Sequence, residues 1–458
     1  MAEPHVIVVG AGPAGVRAAE TLVAAGLRPM VIDEDACGGG QIYRRQPANF
    51  ARPAEAIYAS EAGKASAVHA TLDRLAGRID YLSNTLAWNI DDRLLYVVNG
   101  MAAAELPFDA LIVAAGATDR VMPVPGWTLP GVFTLGAAQI ALKSQACAIG
   151  REVAFLGTGP LLYLVAHQYA TAGGNVAAVL DTSAKADRVA ALPMLAARPA
   201  LLARGLSYLR DLRRRGVPVL DGVVPAAIAG SQEAGVQCLT VRHRGRAVAI
   251  ACDAVAMGHH LRPETQLADL ARCDFRFDPP TRQWLPVVDR DCRTSVKRIY
   301  LAGDGVRIAG ADAAEIQGRL AACAALQDLG RAAPDIGAAA LRLRLARMDW
   351  FRRGLARAFP WPWRLAASLP DNAVVCRCER ITAGELRAAV RANGAPEVNR
   401  AKAFSRVGMG RCQGRYCGHA AAEIVADAAG APIESVGRLR GQAPVKPLPI
   451  AAKGAGLP

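Results

Sequence analysis

Apolar residues recur along this chain in short, unbroken runs, each closed by glycine or an acid. Val6 to Val9 is such a run, followed by a loop over 10–15, a helical pattern over 16–25 and a second apolar run over 29–32. An aliphatic run without polar alternation predicts a strand buried on both faces, as in a parallel sheet. Leu111–Gly116 and Ile299–Asp304 read the same way, as short buried strands ending in glycine or aspartate. The strand–loop–helix–strand pattern returns from Val153, with its loop 147 residues after the first. A repeat of this kind predicts two dinucleotide-type units rather than one long domain.

The remaining pattern is less regular. Lys185 to Arg215 is arginine-rich and helical in period, and a β-rich stretch follows to about Asp289. Ala338 to Ala358 predicts a basic helix, and Phe359-Pro-Trp-Pro-Trp363 is a stiff break, since each proline fixes its own backbone and restrains its neighbour. Thr382-Ala-Gly-Glu385 is a capping box opening a helix over 386–392. The tail after Gln442 carries four prolines and reads as loosely held. The expected organisation is a discontinuous first unit over 1–150 plus 290–330, a second dinucleotide-type unit over 151–289, a basic helical and aromatic linker over 331–370, and a small unit with its tail over 371–458.

Composition narrows the class. A chain of 458 residues exceeds one hydrophobic core, and 52% hydrophobic with 21% charged residues and 44 glycines fits an α/β protein and excludes a disordered one. The longest apolar stretch, Ala190 to Leu209, is broken by Pro193, Arg198, Pro199 and Arg204, so no membrane-spanning helix is expected. Strand residues begin at Val6 and leave no room for a signal peptide, so the expected compartment is the cytoplasm, with the eleven cysteines reduced or metal-bound. Much of the +14 net charge lies late in the chain: thirteen Lys and Arg face six Asp and Glu from Cys376 onward. No aromatic–basic platform or helix-turn-helix accompanies it, which argues against nucleic acid and for an acidic partner or a generally basic proteome.

Four motifs carry chemistry. In Gly10-Ala-Gly12-Pro-Ala-Gly15 the first glycine makes the tight turn, the second admits a pyrophosphate, and the third lets helix and strand pack. The helix start then offers free N–H groups to the phosphates, and Asp33 ends the next strand where a carboxylate can take ribose hydroxyls. Gly38-Gly-Gly40-Gln41 follows at once, a run able to pass close to a flat ring, with Gln41 and Arg44 as neighbours. Gly116 closes one buried strand, and Gly303-Asp304 closes another ahead of a helix start at 310–315, where Asp304 would bond a ribityl chain. Together these point to FAD.

The second loop, Gly157-Thr-Gly159-Pro-Leu-Leu162, has leucine where the third glycine belongs, which should widen the gap between helix and strand. Asp181 ends the following strand and would suit a free 2′-hydroxyl. An NAD(H) site and a retained scaffold without nicotinamide are both compatible with it, and Leu162 favours the scaffold. Near the end, Cys376-Arg-Cys378 and Cys412-Gln-Gly-Arg-Tyr-Cys417 are separated by thirty-three residues. Four thiolates suit a [2Fe–2S] cluster; zinc, whose pairs are usually spaced more widely, is the second reading and plain thiols the third. Gly408, Gly410, Gly414 and Gly418 would let N–H groups approach sulfur, and Arg377, Arg411 and Arg415 would offset negative charge. The other seven cysteines form no close pair, and no C-x-x-C follows the first unit, which counts against a dithiol–disulfide reductase. His259-His260 reads as a hydrogen-bonded or surface pair.

In this order the motifs resemble the FAD/[2Fe–2S] flavoprotein subunit of heteromeric, dye-linked amino-acid dehydrogenases, the group of opine, hydroxyproline and proline dehydrogenases and hydrogen cyanide synthase. The resemblance rests on Gly38-Gly-Gly-Gln-Ile-Tyr-Arg44, on Thr294-Ser-Val ahead of Gly303-Asp304, and on Cys376-Arg-Cys-Glu379 with Gly408-Met-Gly-Arg-Cys-Gln-Gly-Arg-Tyr-Cys-Gly418. The last segment resembles a bacterioferritin-associated-ferredoxin-like domain. The resemblance implies a glutathione-reductase-like α/β fold with two dinucleotide-binding domains and a small helical [2Fe–2S] domain. It places FAD at Gly10, Gly12, Gly15, Asp33 and Asp304, and the cluster on Cys376, Cys378, Cys412 and Cys417. It further implies an amino-acid-oxidase-like partner subunit that holds the substrate site, in some members a small third subunit, and an FMN that can lie between subunits. The expected function is an oxidoreductase subunit that passes electrons from the partner flavin to a one-electron or quinone-linked acceptor. The alternatives are a self-contained NAD(P)H-dependent oxidoreductase feeding the cluster, and an assembly scaffold with a structural zinc.

Overall fold

Buried aliphatic runs pair with one another because only a partner strand can satisfy their backbone while their side chains leave water on both faces. In the computed structural model, which describes residues 3–454 apart from 48, 50 and 51, five such strands form a parallel sheet. Its order is Ile299–Leu301, Ala110–Val113, Val6–Val9, Met30–Ile32, Asp80–Leu82, with Val8 opposite both Val31 and Ile112. The first glycine loop leads into helix Pro13–Ala24, which crosses helix Ala311–Asp328 so closely that a Cβ on Gly318 would stand 2.0 Å from the Ala14 carbonyl oxygen.

The repeat forms a second parallel sheet in the order Val219–Asp221, Asn175–Asp181, Glu152–Thr158, Ala254–His259, Val132–Thr134. Its outer strand corrects the expected boundary at 150: Val132 pairs with Val255, and helix Leu135–Ser144 packs Leu135 and Ala138 into the core of the second unit. A three-stranded antiparallel sheet, Val224–Ser231, Gly235–His243 and Arg246–Ala251, accounts for much of the β-rich stretch. The arginine-rich stretch is two helices, Lys185–Leu195 and Pro199–Arg214.

The segment read as a linker is packed rather than free. Helix Ala338–Ala358 lies on Lys185–Leu195, where a Cβ on Gly354 would meet the Met194 Cβ at 2.8 Å. Beyond it, the hairpin Val374–Cys376/Ile381–Thr382 and helices Ala383–Asn393, Val398–Ser405 and Gly418–Ala429 form the small C-terminal unit. The capping box forms: Thr382 Oγ1 accepts from the Glu385 N–H at 3.2 Å, and the Glu385 carboxylate accepts from the Thr382 N–H at 2.8 Å. This unit shares one buried core with the second sheet, in which Val121, Trp127 and Leu156 join Trp361, Leu386 and Ile424.

The tail is held, contrary to the expectation from its prolines. Val445 is buried, its N–H donates to the Trp88 carbonyl at 3.1 Å, and Lys453–Gly454 pairs in parallel with Ala102–Ala103. The prolines set the path of a strap that crosses from the C-terminal unit back to the first unit; residues 455–458 lie outside the described residues. Among the described residues no helix is long and apolar enough to cross a membrane.

Candidate functional site

A cavity of about 950 Å³ opens where the strands of both sheets end, the position at which open α/β sheets bind ligands. Gly10, Gly12, Asp33, Gly40, Gln41, Gly116, Gly303 and Asp304 all line it. Gly15 and Arg44 do not line it. Gly15 packs helix on strand: a Cβ there would stand 1.7 Å from the Gly10 carbonyl oxygen. Arg44 donates Nη1 and Nη2 to Asp35 at 2.8 and 2.7 Å, and Asp35 lines the cavity together with Ile42 and Tyr43. Gly10 has φ +100, and any side chain there would meet the Ala114 carbonyl oxygen. Helix Pro13–Ala24 begins without a side-chain cap, so the N–H groups of its first turn remain for a ligand.

The two acids do more local work than expected. Asp33 Oδ2 accepts from the Ala11 N–H at 2.5 Å and Oδ1 from the Asp35 N–H at 2.8 Å, which ties the glycine loop to the end of the second strand. Burial raises the Asp33 carboxyl to about 6, against the pull of those two N–H groups. Asp304 Oδ1 accepts from the N–H groups of Ala309 and Gly310 at 2.8 and 3.0 Å and so shapes the entry to helix Ala311–Asp328; burial raises its pKa as well. Lys143, buried beside Tyr58 with Nζ donating to the Ile42 carbonyl at 3.0 Å, also lines the cavity, and burial lowers it to about 8. No motif marks Lys143 in the sequence.

The four C-terminal cysteines come together. Their sulfurs are linked in a chain, Cys376 to Cys417 to Cys412 to Cys378. Interaction with Cys417 lowers Cys376 to about 6 and Cys412 to about 5, and the same two neighbours push Cys417 well above the ordinary thiol value. Backbone N–H groups of Gly408 and Glu379 point at Cys376, those of Tyr416 and Gly414 at Cys412, and that of Cys412 at Cys378. Among the described residues no group of three or more His, Cys, Asp or Glu is disposed to hold a lone ion. Four thiols with backbone N–H groups turned toward them are a donor set that fits two iron atoms with two thiolates each.

The arginines divide. Arg377 lies over the rings of Trp127 and Tyr416, at 5.7 and 5.1 Å. Arg415 is buried and pairs with Glu264 at 2.6 Å, so part of the charge assigned to the sulfurs is already neutralised. Arg262, which no motif announces, supplies charge in its place: it lies close enough to Cys412 and Cys417 for their charges to act on it, and its Nη1 donates to the Arg415 carbonyl at 3.1 Å. Gln266 donates to the Gln413 carbonyl at 2.9 Å. The segment 262–266 of the second unit thus grips the cysteine loop. Arg415 and Tyr416, which lie between Cys412 and Cys417, form part of the wall of the large cavity.

Comparisons with known proteins agree with this geometry. Residues 4–318 match the family Pyridine nucleotide-disulphide oxidoreductase, and residues 374–427 match the BFD-like [2Fe-2S] binding domain. The chain is 39% identical over 467 residues to an opine oxidase subunit from Agrobacterium tumefaciens, covering 97% of this chain and 90% of that protein. It is 31% identical to hydrogen cyanide synthase subunit HcnB of Pseudomonas aeruginosa, covering 97% of each. The crystal structure of L-proline dehydrogenase from P. horikoshii superposes with a TM-score of 0.69 at 20% identity, covering 99% of this chain and 80% of that one, and shares the fold. The first family match indicates FAD binding and the second a [2Fe–2S] cluster, and the glycine loops and the four cysteines fall within the two matched segments. The chain belongs to the pyridine nucleotide-disulphide oxidoreductase family, as an oxidoreductase chain similar to opine oxidase subunits, with a BFD-like [2Fe–2S] domain at its C-terminal end.

Proposed function

We propose that this chain is the electron-transferring subunit of a heteromeric amino-acid dehydrogenase of the opine, proline, hydroxyproline or glycine type. An amino-acid-oxidase-like flavoprotein partner oxidises the amine, and electrons leave this chain to a one-electron or quinone-linked acceptor. The observation that carries the reading is the shared wall: Arg415 and Tyr416 of the cysteine loop line the cavity that the FAD loops also line. When bound, FAD supplies two-electron chemistry and the cluster one-electron chemistry, so the pair can join a hydride donor to a one-electron acceptor.

The chain's own residues hold these groups and shape the space between them. Gly10, Gly12 and the start of helix Pro13–Ala24 offer N–H groups to a pyrophosphate, and Gly40 and Gln41 face the same cavity from the neighbouring loop. Cys376, Cys378, Cys412 and Cys417 would each supply one thiolate, with N–H groups and Arg262 stabilising the negative charge. Arg415 donates Nη1 to the Val445 carbonyl at 2.6 Å, and Lys446 pairs with Glu34, so the tail strap closes one side of the cavity against water.

Co-purification from the native host is the test, with subunits, flavin, iron and acid-labile sulfide assayed together. The expected result is a complex that reduces a dye with an amino acid, while this chain alone, loaded with FAD and cluster, does not. Full-rate amino-acid oxidation by the isolated chain would overturn the reading, and zinc without sulfide would move it to a scaffold.

A further inference from the structure

The second glycine loop has the backbone of a phosphate seat. Gly159 has φ +106, and helix Pro160–Thr171 starts without a side-chain cap. Gly159, Pro160 and Leu161 line the large cavity, but the chain's own residues crowd this seat and engage the acid that would serve it. Asp181 is wholly buried and both its oxygens are engaged: the Tyr163 hydroxyl donates to one at 2.6 Å and the Ser183 N–H to the other at 2.7 Å. Arg188 and Asp221 close over the same hydroxyl. Asp33, its counterpart, lines the cavity, and Asp181 does not. The ring of His260 stands where a pyrophosphate would approach, since a Cβ on Gly159 would meet His260 Nδ1 at 3.0 Å. The other His260 nitrogen bonds the Phe359 carbonyl, and the Phe359 ring lies 6.3 Å from His260, 6.4 Å from Tyr163 and 5.9 Å from the Arg188 guanidinium.

From that seat the strap runs to the C-terminal unit. Trp361 is buried, with the Arg120 guanidinium 3.9 Å above its ring and its Nε1 donating to Glu423 at 3.1 Å. Its ring lies 6.0 Å from His259 of the second sheet and 6.4 Å from His419, two residues beyond Cys417. Glu423 also takes Arg282 in a two-pronged pair at 2.8 and 2.6 Å. Pro360 and Pro362 stiffen the strap between its two anchors.

We propose that the second unit takes no pyridine nucleotide, and that its glycine loop has become the seat of the chain's own Phe359–Trp363 strap, which fixes the [2Fe–2S] domain against the flavin cavity. A nucleotide would have to free Asp181 from two buried hydrogen bonds and push His260 off Gly159. Pushing His260 away removes the Phe359 anchor, and the strap would then carry Trp361 away from Arg120 and Glu423. Nucleotide binding and domain docking therefore compete for one surface, and the contacts in place are those of docking. The nucleotide half of the proposal stands apart from the relay; the positioning half rests on it.

The full chain, loaded with FAD and cluster, is titrated anaerobically with NADH and with NADPH, following nucleotide fluorescence and flavin bleaching. The expected result is no saturable binding tighter than about 1 mM and no prompt bleaching. Micromolar binding by the wild type overturns the seat. In a second measurement the flavin is photoreduced and the rise of the reduced cluster is timed in wild type, Trp361→Ala and Trp361→Phe, each with full FAD and iron content. A domain that loses its anchor loses its fixed separation and orientation, so transfer is expected to slow about tenfold or more in Trp361→Ala and to recover in Trp361→Phe. Equal rates in all three overturn the positioning role. Absence of transfer in the wild type overturns the relay, and with it the positioning half, while the nucleotide titration still decides the seat.

Discussion

Both uncapped helix starts line the cavity, with Gly10, Gly12 and Pro13 on one side and Gly159, Pro160 and Leu161 on the other, but only the second is met at its turn by His260 and Phe359. The two loops share strand, turn and helix, and each is followed by an acid at the end of the next strand. They differ in what the rest of the chain brings to them. In the first unit Asp33 binds the N–H groups of its own loop and still lines the cavity, whereas in the second Asp181 is sealed beneath Tyr163. Gly15 lets helix and strand touch through backbone, while Leu162 fills the corresponding space as a wholly buried side chain among Val153, Phe155 and Leu135. A glycine fingerprint therefore reports a scaffold, and residues distant in sequence decide whether a ligand can use it.

The sharpest way to probe the filled seat is to cut its far anchor. Glu423→Ala leaves Arg282 without its buried partner and deletes the Trp361 bond, so a loss of about 3–5 kcal/mol is expected, read as a lower urea midpoint with FAD affinity unchanged. Leu162→Ala should cost about 3 kcal/mol through the cavity it leaves and should not create NADH binding. Gain of binding in that variant would show that leucine, and not the strap, closes the second loop. Gly15→Ala is the mirror experiment. Its Cβ would collide with the Gly10 carbonyl, and FAD retention measured by equilibrium dialysis should weaken about a hundredfold, or about 2.7 kcal/mol. Unchanged FAD affinity would break the comparison from the other side.

The smallest expected effect is a pH slope in the first unit. Burial raises the Asp33 carboxyl to about 6, so between roughly pH 4 and 6 the folded chain keeps a proton that the unfolded chain has released. The flavin-free chain should lose stability from this group as pH rises, by up to about 1.4 kcal/mol per pH unit within that window. The difference in urea midpoint between wild type and Asp33→Asn, followed across the window, should show that slope; a constant difference would mean that the loop N–H groups cancel burial, and a reversed slope that they outweigh it.

Much of the first unit was legible in the sequence because its signals are local. An aliphatic run, a glycine turn and an acid within thirty residues are enough to read a strand, a phosphate loop and a strand end, and the sheet has that register. The cysteine pairs were legible for the same reason: thiols two and five positions apart must share a neighbourhood. The pairing of Arg44 was not legible, because its place beside the glycine run says nothing of Asp35, which holds it across a turn. The domain edge at 150 was misread because strand Val132–Thr134 is short and its partner Val255 lies more than a hundred residues later. The tail was misread because prolines announce an irregular backbone and do not tell whether that backbone is anchored.

By itself the sequence determined the two dinucleotide-type units, the thiol set and the chemistry those residues can support, since each depends on spacing within one element or turn. The tertiary structure decided the rest. It placed Arg415 and Tyr416 in the wall of the flavin cavity, brought Arg262 near the sulfurs, and set His260 and Phe359 over the glycine loop at Gly159, far earlier in the chain. These are consequences of packing. Trp361, Phe359 and Val445 leave water together with the surfaces they cover, and burial of apolar area carries no record of sequence distance. The same loop pattern therefore meets different neighbours in the two halves of the molecule, an acid facing the cavity in one and an acid sealed beneath Tyr163 in the other.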